Sequence, residues 1–306
     1  NYEEFNRMID YYMEAGFSYF DTAHGYLGGK SETAVRDCLA ARYPRESYTL
    51  TNKLSVHFFE RESDIRPLFE QQLKATGVEY FDYYLMHAQD ENIYRHFMKC
   101  NAYQVVQKLK EEGKIRHMGI SFHDKADVLD MILKEHPEIE IVQIQFNYMD
   151  YESPSVESRK VYEVCRKYGK PVLVMEPVKG GGLARLPEEA KRELEDLGTG
   201  ESPAAYAVRF AASFDGVFKV LSGMSDMDQM KDNVSVMKAF RPFNEEEYKA
   251  VKRVCKILNT MDTIPCTACR YCTDGCPKHI QIPDLFGCFN AKKQFGDWNS
   301  DYYYGV

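Results

Sequence analysis

Four residues able to move a proton or steady a charge stand at or just beyond the ends of successive apolar runs. FSYFD ends in Asp21, YTLTNK in Lys53 and FDYYLMH in His87, while Tyr26 lies in the short loop after Asp21. A fourth run, IRHMGIS, ends in Ser121 at a similar spacing. Packing alone gives no reason for buried strands to deliver a carboxylate, an ammonium and an imidazole in turn. In a barrel of parallel strands those ends share one rim, and that rim carries the chemistry. A tyrosine is a weak acid, with a reference pKa near ~10. A neighbouring ammonium favours the phenolate and so makes the phenol a better proton donor. A carboxylate holds that ammonium in place, and a neutral imidazole can hydrogen-bond a substrate carbonyl. Together they suit proton donation to an oxygen that gains negative charge, as when hydride adds to a carbonyl. Singly, each has a bland reading as a surface tyrosine, a solvated lysine or a core histidine; the repeated placement is what argues for catalysis.

The elements that must position them follow from periodicity and from short apolar runs at loop boundaries. Helices are expected over 2–15, 31–42, 63–76, 101–112, 125–135, 155–168, 188–196, 203–213 and 226–239. Strands are expected over 17–22, 48–53, 81–87, 116–121, 139–146, 171–176 and 217–222. Such alternation implies an α/β fold with a parallel sheet. A (β/α)8 TIM barrel needs an eighth strand, which is expected to precede residue 1; an open or seven-stranded barrel is the alternative. Residues 1–242 are assigned to the barrel and 243–306 to a helical, Cys-rich C-terminal region. There Asn244 caps a helix with glutamates in its first turn, as the helix dipole favours. A short helix is expected near 283–293.

Composition excludes several classes. A chain of 306 residues, 44% hydrophobic, can bury a large core. Its formal charge of −8 argues against a nucleic-acid surface. No apolar run approaches the ~18 residues of a membrane span, and the N-terminus lacks a signal-peptide pattern. Nine cysteines without such a signal point to a reducing, cytoplasmic setting.

No GxGxxG follows a strand, so a Rossmann site is not supported. Instead the strand at 171–176 runs into EPVKGGGL, where Lys179 could face a phosphate and Gly181 could let backbone approach a ligand. The last strand ends at Ser222, and Ser225 or Asp226 caps the helix that follows. The final two loops of a barrel are a frequent phosphate site.

CTACRYCTDGCP places Cys266, Cys269, Cys272 and Cys276 as C-x2-C-x2-C-x3-C-P. Two-residue gaps let a tight turn point successive thiolates at one iron–sulfur cube. The fourth ligand is Cys276 or a distant thiol, Cys288 or Cys255. A four-thiolate zinc site is the rival occupant. The cluster is read as a clasp or regulatory element, or else as a one-electron relay to an electron-transfer partner.

FDTAHGY, the TNK strand end, YYLMHA, GKIRHMGIS and QIQFN, in this order, resemble the aldo-keto reductase superfamily across about residues 1–240. The resemblance implies a (β/α)8 barrel that reduces small carbonyl compounds with NADP(H) or NAD(H). Tyr26 would be the proton donor, assisted by Asp21, Lys53 and His87. By the same resemblance Ser121 and Gln143 contact the nicotinamide amide, and Met175 replaces the aromatic that stacks on its ring. Gln229, Asp232 and Asn233 match the adenosine-binding stretch. Phe122 stands where the family has Asn, and Gly223 and Gln229 replace basic residues that face a 2′-phosphate, which weakens the expected NADP preference. The cysteine tail is similar to that of a subgroup with a ferredoxin-like 4Fe–4S segment. Phe58, Phe59, Phe122, His123 and Tyr148 are candidate substrate walls. The competing class is a nicotinamide-nucleotide-binding redox sensor without turnover.

Overall fold

The computed structural model describes residues 2–260, 263–264, 266, 271–274, 276–278 and 280–295. The strands are β1 (Tyr19–Asp21), β2 (Thr49–Leu54), β3 (Phe81–Gln89), β4 (Ile115–Phe122), β5 (Ile141–Gln145), β6 (Val172–Met175) and β7 (Val217–Val220). They follow one another in the sheet in chain order. Neighbours from β1 to β5 run parallel, with registers such as Asp21 opposite Thr51 and Ser121 opposite Gln143. The expected strands are thus found within a few residues of their places.

Between and after them lie α1 (Tyr2–Glu14), α2 (Lys30–Val35), α3 (Glu62–Thr76), α4 (Glu91–Lys99), α5 (Ala102–Glu111), α6 (Ala126–Glu135) and α7 (Ser158–Lys167). Then come α8 (Glu188–Glu195), α9 (Pro203–Ala212), α10 (Met227–Lys238), α11 (Glu245–Thr260), α12 (Tyr271–Asp274) and α13 (Ile282–Phe295). Two differences from the sequence reading have local causes. The helix expected over 31–42 is α-helical only to Val35 and widens into a π turn at Arg36–Ala40. The unexpected α4 is started by Asp90, whose side chain accepts from the Ile93 amide at 2.7 Å, and it buries Tyr94 and Phe97. The cap expected on α11 is present as a reciprocal pair: Asn244 Oδ1 accepts from the Glu247 amide at 2.9 Å, and Glu247 accepts from the Asn244 amide at 2.9 Å.

The chain divides into two compact units, Asn1–Ile144 with Lys160–Leu173 and Gly223–Lys238, and Gln145–Arg159 with Val174–Ser222 and Ala239–Val306. In the first unit Leu50, Leu85 and Ile120 are fully buried, as strands covered on both faces require. A Cβ on Gly119 would collide with the carbonyl of Ile141, so glycine there lets β4 and β5 lie close. The second unit is centred on aromatic side chains, with Phe210 packed edge-on to Tyr151 and Phe243. Beside them the buried Arg209 is paired to the equally buried Glu247 at 2.9 Å. No helix among the described residues is long and apolar enough to cross a membrane.

Candidate active site

In the first unit the strand ends bring the four expected residues together. Lys53 is fully buried; its ammonium donates to the Asp21 carboxylate and, at 2.9 Å, to the carbonyl of Thr22. It lies 5.0 Å from the centre of the Tyr26 ring. The Tyr26 hydroxyl stands 3.3 Å from Nε2 of His87, and the hydroxyl of Ser55 is 2.6 Å from Nδ1 of the same ring. Burial, reinforced by Lys53 and the nearby His123 and His57, holds the His87 imidazole down to about 3, so the ring is neutral at ordinary pH. Burial pushes the Asp21 carboxyl up, against the pull of Lys53.

Local sequence explains this placement. Strand β1 ends at Asp21, and the Thr22 amide donates to the Thr51 carbonyl at 3.0 Å. Two residues on, the main chain of Lys53 faces the same side with no strand left to pair with. Its N–H donates instead to Asn52 Oδ1 at 2.8 Å, and its carbonyl accepts from Gln72 Nε2 at 2.9 Å. Tyr26 is presented by a turn in which Gly25, Leu27, Gly28 and Gly29 have φ of 89°, 54°, 65° and 84°. Only glycine tolerates such a run, and Leu27 is the exception.

Strand β3 is irregular at His87: its register against β4 shifts between Met86 and Gln89. Ala88 adopts a φ of 56° there and donates its amide to the Ser121 hydroxyl at 2.8 Å. The Ser121 hydroxyl proton stays available, and Gln143 opposite it has a buried Oε1 with no hydrogen-bond partner among the described residues. A hydroxyl donor beside an unpaired carbonyl acceptor is complementary to a carboxamide.

The remaining expected residues are placed as follows. Met175 is half-buried at the end of β6, and its carbonyl accepts from the Phe146 amide at 3.1 Å. Lys179 is ion-paired to the buried Asp150 at 2.6 Å. Burial raises that carboxyl, but Lys179 and the amides of Gln145 and Asn147 outweigh it and leave it below the usual range. Gly181, with φ of 87°, sits in a turn closed by bonds from Gly181 N–H to the Val178 carbonyl at 3.1 Å and from Gly182 N–H to the Lys179 carbonyl at 3.0 Å. Ser222 is half-buried just beyond β7. Gln229 is engaged at the start of α10, accepting from the Ser225 amide at 2.9 Å and donating to Asp226 at 2.8 Å. Asp226 is therefore the cap, since it also accepts from the Gln229 amide at 2.9 Å. Asp232 and Asn233 lie within α10.

Three of the suggested substrate walls are core instead: Phe59, Phe122 and Tyr148 are buried, Phe59 packing on His96 and Phe97. Phe58 and His123 remain exposed. Of the motif cysteines, Cys269 lies outside the described residues. Among the described residues no group of three or more Cys, His, Asp or Glu is close enough to hold a metal. Cys255 donates its thiol to the Tyr148 carbonyl at 3.3 Å, and burial with the nearby Asp150 pushes it up to about 12. Cys288 lies on α13. That helix is tied back by Asn290, which both accepts from and donates to the main chain of Ile264 at 2.8 Å.

Sequence reasoning missed Thr22, Ser55 and Gln72. Ser55 had a usable signal, because a residue two beyond Lys53 projects to the same side of the strand. Gln72 had none, since it reaches β2 from α3 through hydrogen bonds that no local pattern carries.

A tyrosine, lysine, aspartate and histidine joined at the ends of parallel strands mark an enzyme. Residues 1–256 match the Aldo/keto reductase family, and the chain belongs to that family of oxidoreductases. It is 24% identical to the uncharacterized oxidoreductase YqkF of Bacillus subtilis, over 80% of this chain and 85% of that protein. It is 25% identical to the human aldo-keto reductase family 1 member C1, over 78% and 79% of the two chains. The solved aldo-keto reductase AKR11C1 from Bacillus halodurans (holo form) is 25% identical, with a TM-score of 0.65 over 83% of this chain and 88% of that one. An aldo-keto reductase from Klebsiella pneumoniae in complex with NADPH, 17% identical, shares the fold at a TM-score of 0.66 over 83% and 85%.

Proposed function

We propose that the protein reduces an aldehyde or ketone with NADPH or NADH, and that Tyr26 donates the proton. The observation that carries this reading is the Tyr26 hydroxyl beside a neutral His87, with the ring of Tyr26 over the Lys53 ammonium. Ser121 and Gln143 would hold the nicotinamide carboxamide, a fit supported by the unpaired Gln143 oxygen. Bound nicotinamide would supply the hydride. With Ser55 donating to Nδ1 of His87, the tautomer this mechanism requires, the Nε2 proton is free to bond the substrate oxygen. As the carbonyl carbon gains hydride, its π pair moves to oxygen and the phenolic proton of Tyr26 transfers there. Lys53, held by Asp21 and the Thr22 carbonyl, steadies the phenolate left behind. Met175 would cover the nicotinamide ring, and Lys179, Gly181, Ser222, Gln229, Asp232 and Asn233 would line the rest of the nucleotide. The test is an aldehyde panel with NADPH and NADH: Tyr26→Phe should lower kcat by about 10²–10⁴-fold. Undiminished turnover in that variant would refute the assignment.

We further read the fold as the (β/α)8 barrel of this family, with 243–306 as an appended region. Cys266, Cys269, Cys272 and Cys276 would hold a 4Fe–4S cluster, with zinc as the alternative and Cys288 or Cys255 as the substitute fourth ligand. Four thiolates suit such a cluster, which when bound would clasp the C-terminal region and could exchange single electrons with a partner. The anaerobic absorption spectrum of purified protein tests this: broad visible charge-transfer bands that Cys269→Ser removes indicate iron, and their absence with bound zinc indicates the alternative.

A further inference from the structure

Behind the four residues runs a line of buried polar groups that proton transfer does not use. Glu32, on α2, is 1% exposed. Its Oε2 accepts from Nδ1 of His24 at 2.8 Å and its Oε1 from Nδ2 of Asn52 at 2.8 Å. Asn52 in turn accepts from the Lys53 amide at 2.8 Å and from Gln72 Nε2 at 3.3 Å. Gln72 also donates to the Lys53 carbonyl, and its own oxygen accepts from the Tyr84 hydroxyl at 2.5 Å. His24 lies two residues before Tyr26, so one carboxylate joins the loop that carries the phenol to the main chain that carries the ammonium.

Two considerations say this line does more than fill the core. A buried carboxylate is costly, and apolar groups of the same volume commonly serve stability as well or better. The turn it ties down is also strained, although its main chain closes it from Tyr26 N–H to the Ala23 carbonyl at 3.2 Å and from Gly28 N–H to the Gly25 carbonyl at 3.0 Å. Leu27 keeps a left-handed φ of 54° while its side chain is 80% exposed, so no packing of its own fixes it. Such conformations persist where the surroundings over-determine them. Here the surroundings are His24–Glu32 and a second stitch, Thr22 Oγ1 to Ser31 Oγ at 2.7 Å, both closing the turn from its two ends.

We propose that Glu32 is a positioning residue, which clamps the Tyr26 turn against the Lys53 main chain and so keeps the phenol within reach of His87. This rests on Tyr26 being the proton donor. The test uses the full-length protein with 4-nitrobenzaldehyde, phenylglyoxal and butanal as probes, and amide hydrogen exchange as a second readout. Glu32→Ala should lower kcat about 10²-fold while KM for aldehyde and nucleotide shifts less than about threefold, since misplaced reacting groups cost rate rather than binding. Exchange should quicken in residues 23–31 and stay unchanged in β3. Glu32→Gln keeps an acceptor for Asn52 and can meet His24 in its other tautomer, so it should recover most of the lost rate. A Glu32→Ala protein with a lower Tm but a kcat within about twofold of wild type well below that Tm would overturn the proposal. If Glu32→Ala does not fold, His24→Ala cuts the same link from its more exposed end, and unchanged kcat and unchanged exchange there overturn it equally. Tyr26→Phe separates the two ideas: full turnover in that variant sinks the proton-donor assignment, while exchange at residues 23–31 still reports whether Glu32 holds the turn.

Discussion

Two glycine-rich turns, HGYLGGK in the first unit and VKGGGL in the second, look alike in sequence and in main-chain closure but are held by different side chains. Around Tyr26 four residues have positive φ, and side chains from elsewhere stitch both ends of the turn through Glu32 and Thr22. Around Gly181, Lys179 and Gly180 share the left-handed region with φ of 50° and 61°, the turn likewise closes on its own main chain, and Lys179 is ion-paired to Asp150. The first arrangement fixes one hydroxyl; the second orders a stretch of backbone. Glycine content alone distinguishes neither, because what differs is which distant residues the turn can reach.

The comparison breaks most visibly at the ion pair. Lys179→Met leaves Asp150, 3% exposed, without its cation, and should cost about 3 kcal/mol, read as a fall in Tm. If Lys179 also meets a nucleotide phosphate, KM for the nucleotide rises as well; a stability loss with unchanged KM confines the residue to holding the turn. Gly25→Ala comes next. Its Cβ would stand 2.9 Å from the Phe58 ring at a φ of 89°, so about 2 kcal/mol and a loss of turnover out of proportion to stability are expected. Gly181→Ala has the nearest protein atom 3.8 Å away, so a stability loss near the φ penalty of about 1 kcal/mol should appear, with any further effect falling on KM for the nucleotide. The last effect is on pH. His87 is neutral in the fold down to about 3, whereas an imidazole in the unfolded chain takes up a proton near ~6.5. Stability should therefore fall as pH drops between those values, and replacing His87 by Gln should flatten that part of the Tm–pH curve.

Asp21, Lys53 and His87 were legible because each interrupts an apolar run with a group that the core does not ask for, and Tyr26 by its place in the loop just after Asp21. Helix α4 was not, although Ile93, Tyr94, Phe97 and Met98 keep a helical spacing, because its nine residues fall short of the length that a periodic window needs. Aromatic walls failed for a related reason: a phenylalanine beside the site and one turned into the core have the same sequence signature, and Phe58 and Phe59 divide that way. Glu32 could be read only as one more charged helix residue. Its importance lies in hydrogen bonds to His24 and Asn52, made through the folding of β1, α2 and β2, which no local pattern carries.

Ala88 carries a consequence for any attempt to redesign this enzyme. Its left-handed φ within β3 bends the chain just past His87 while its amide grips Ser121. A β-branched side chain at that bend would be strained, so the tolerated alphabet narrows to alanine, glycine and the few polar types at ease there. Libraries that randomise the lining should leave this alanine fixed, because changing it would alter the proposed hydride and proton sites together.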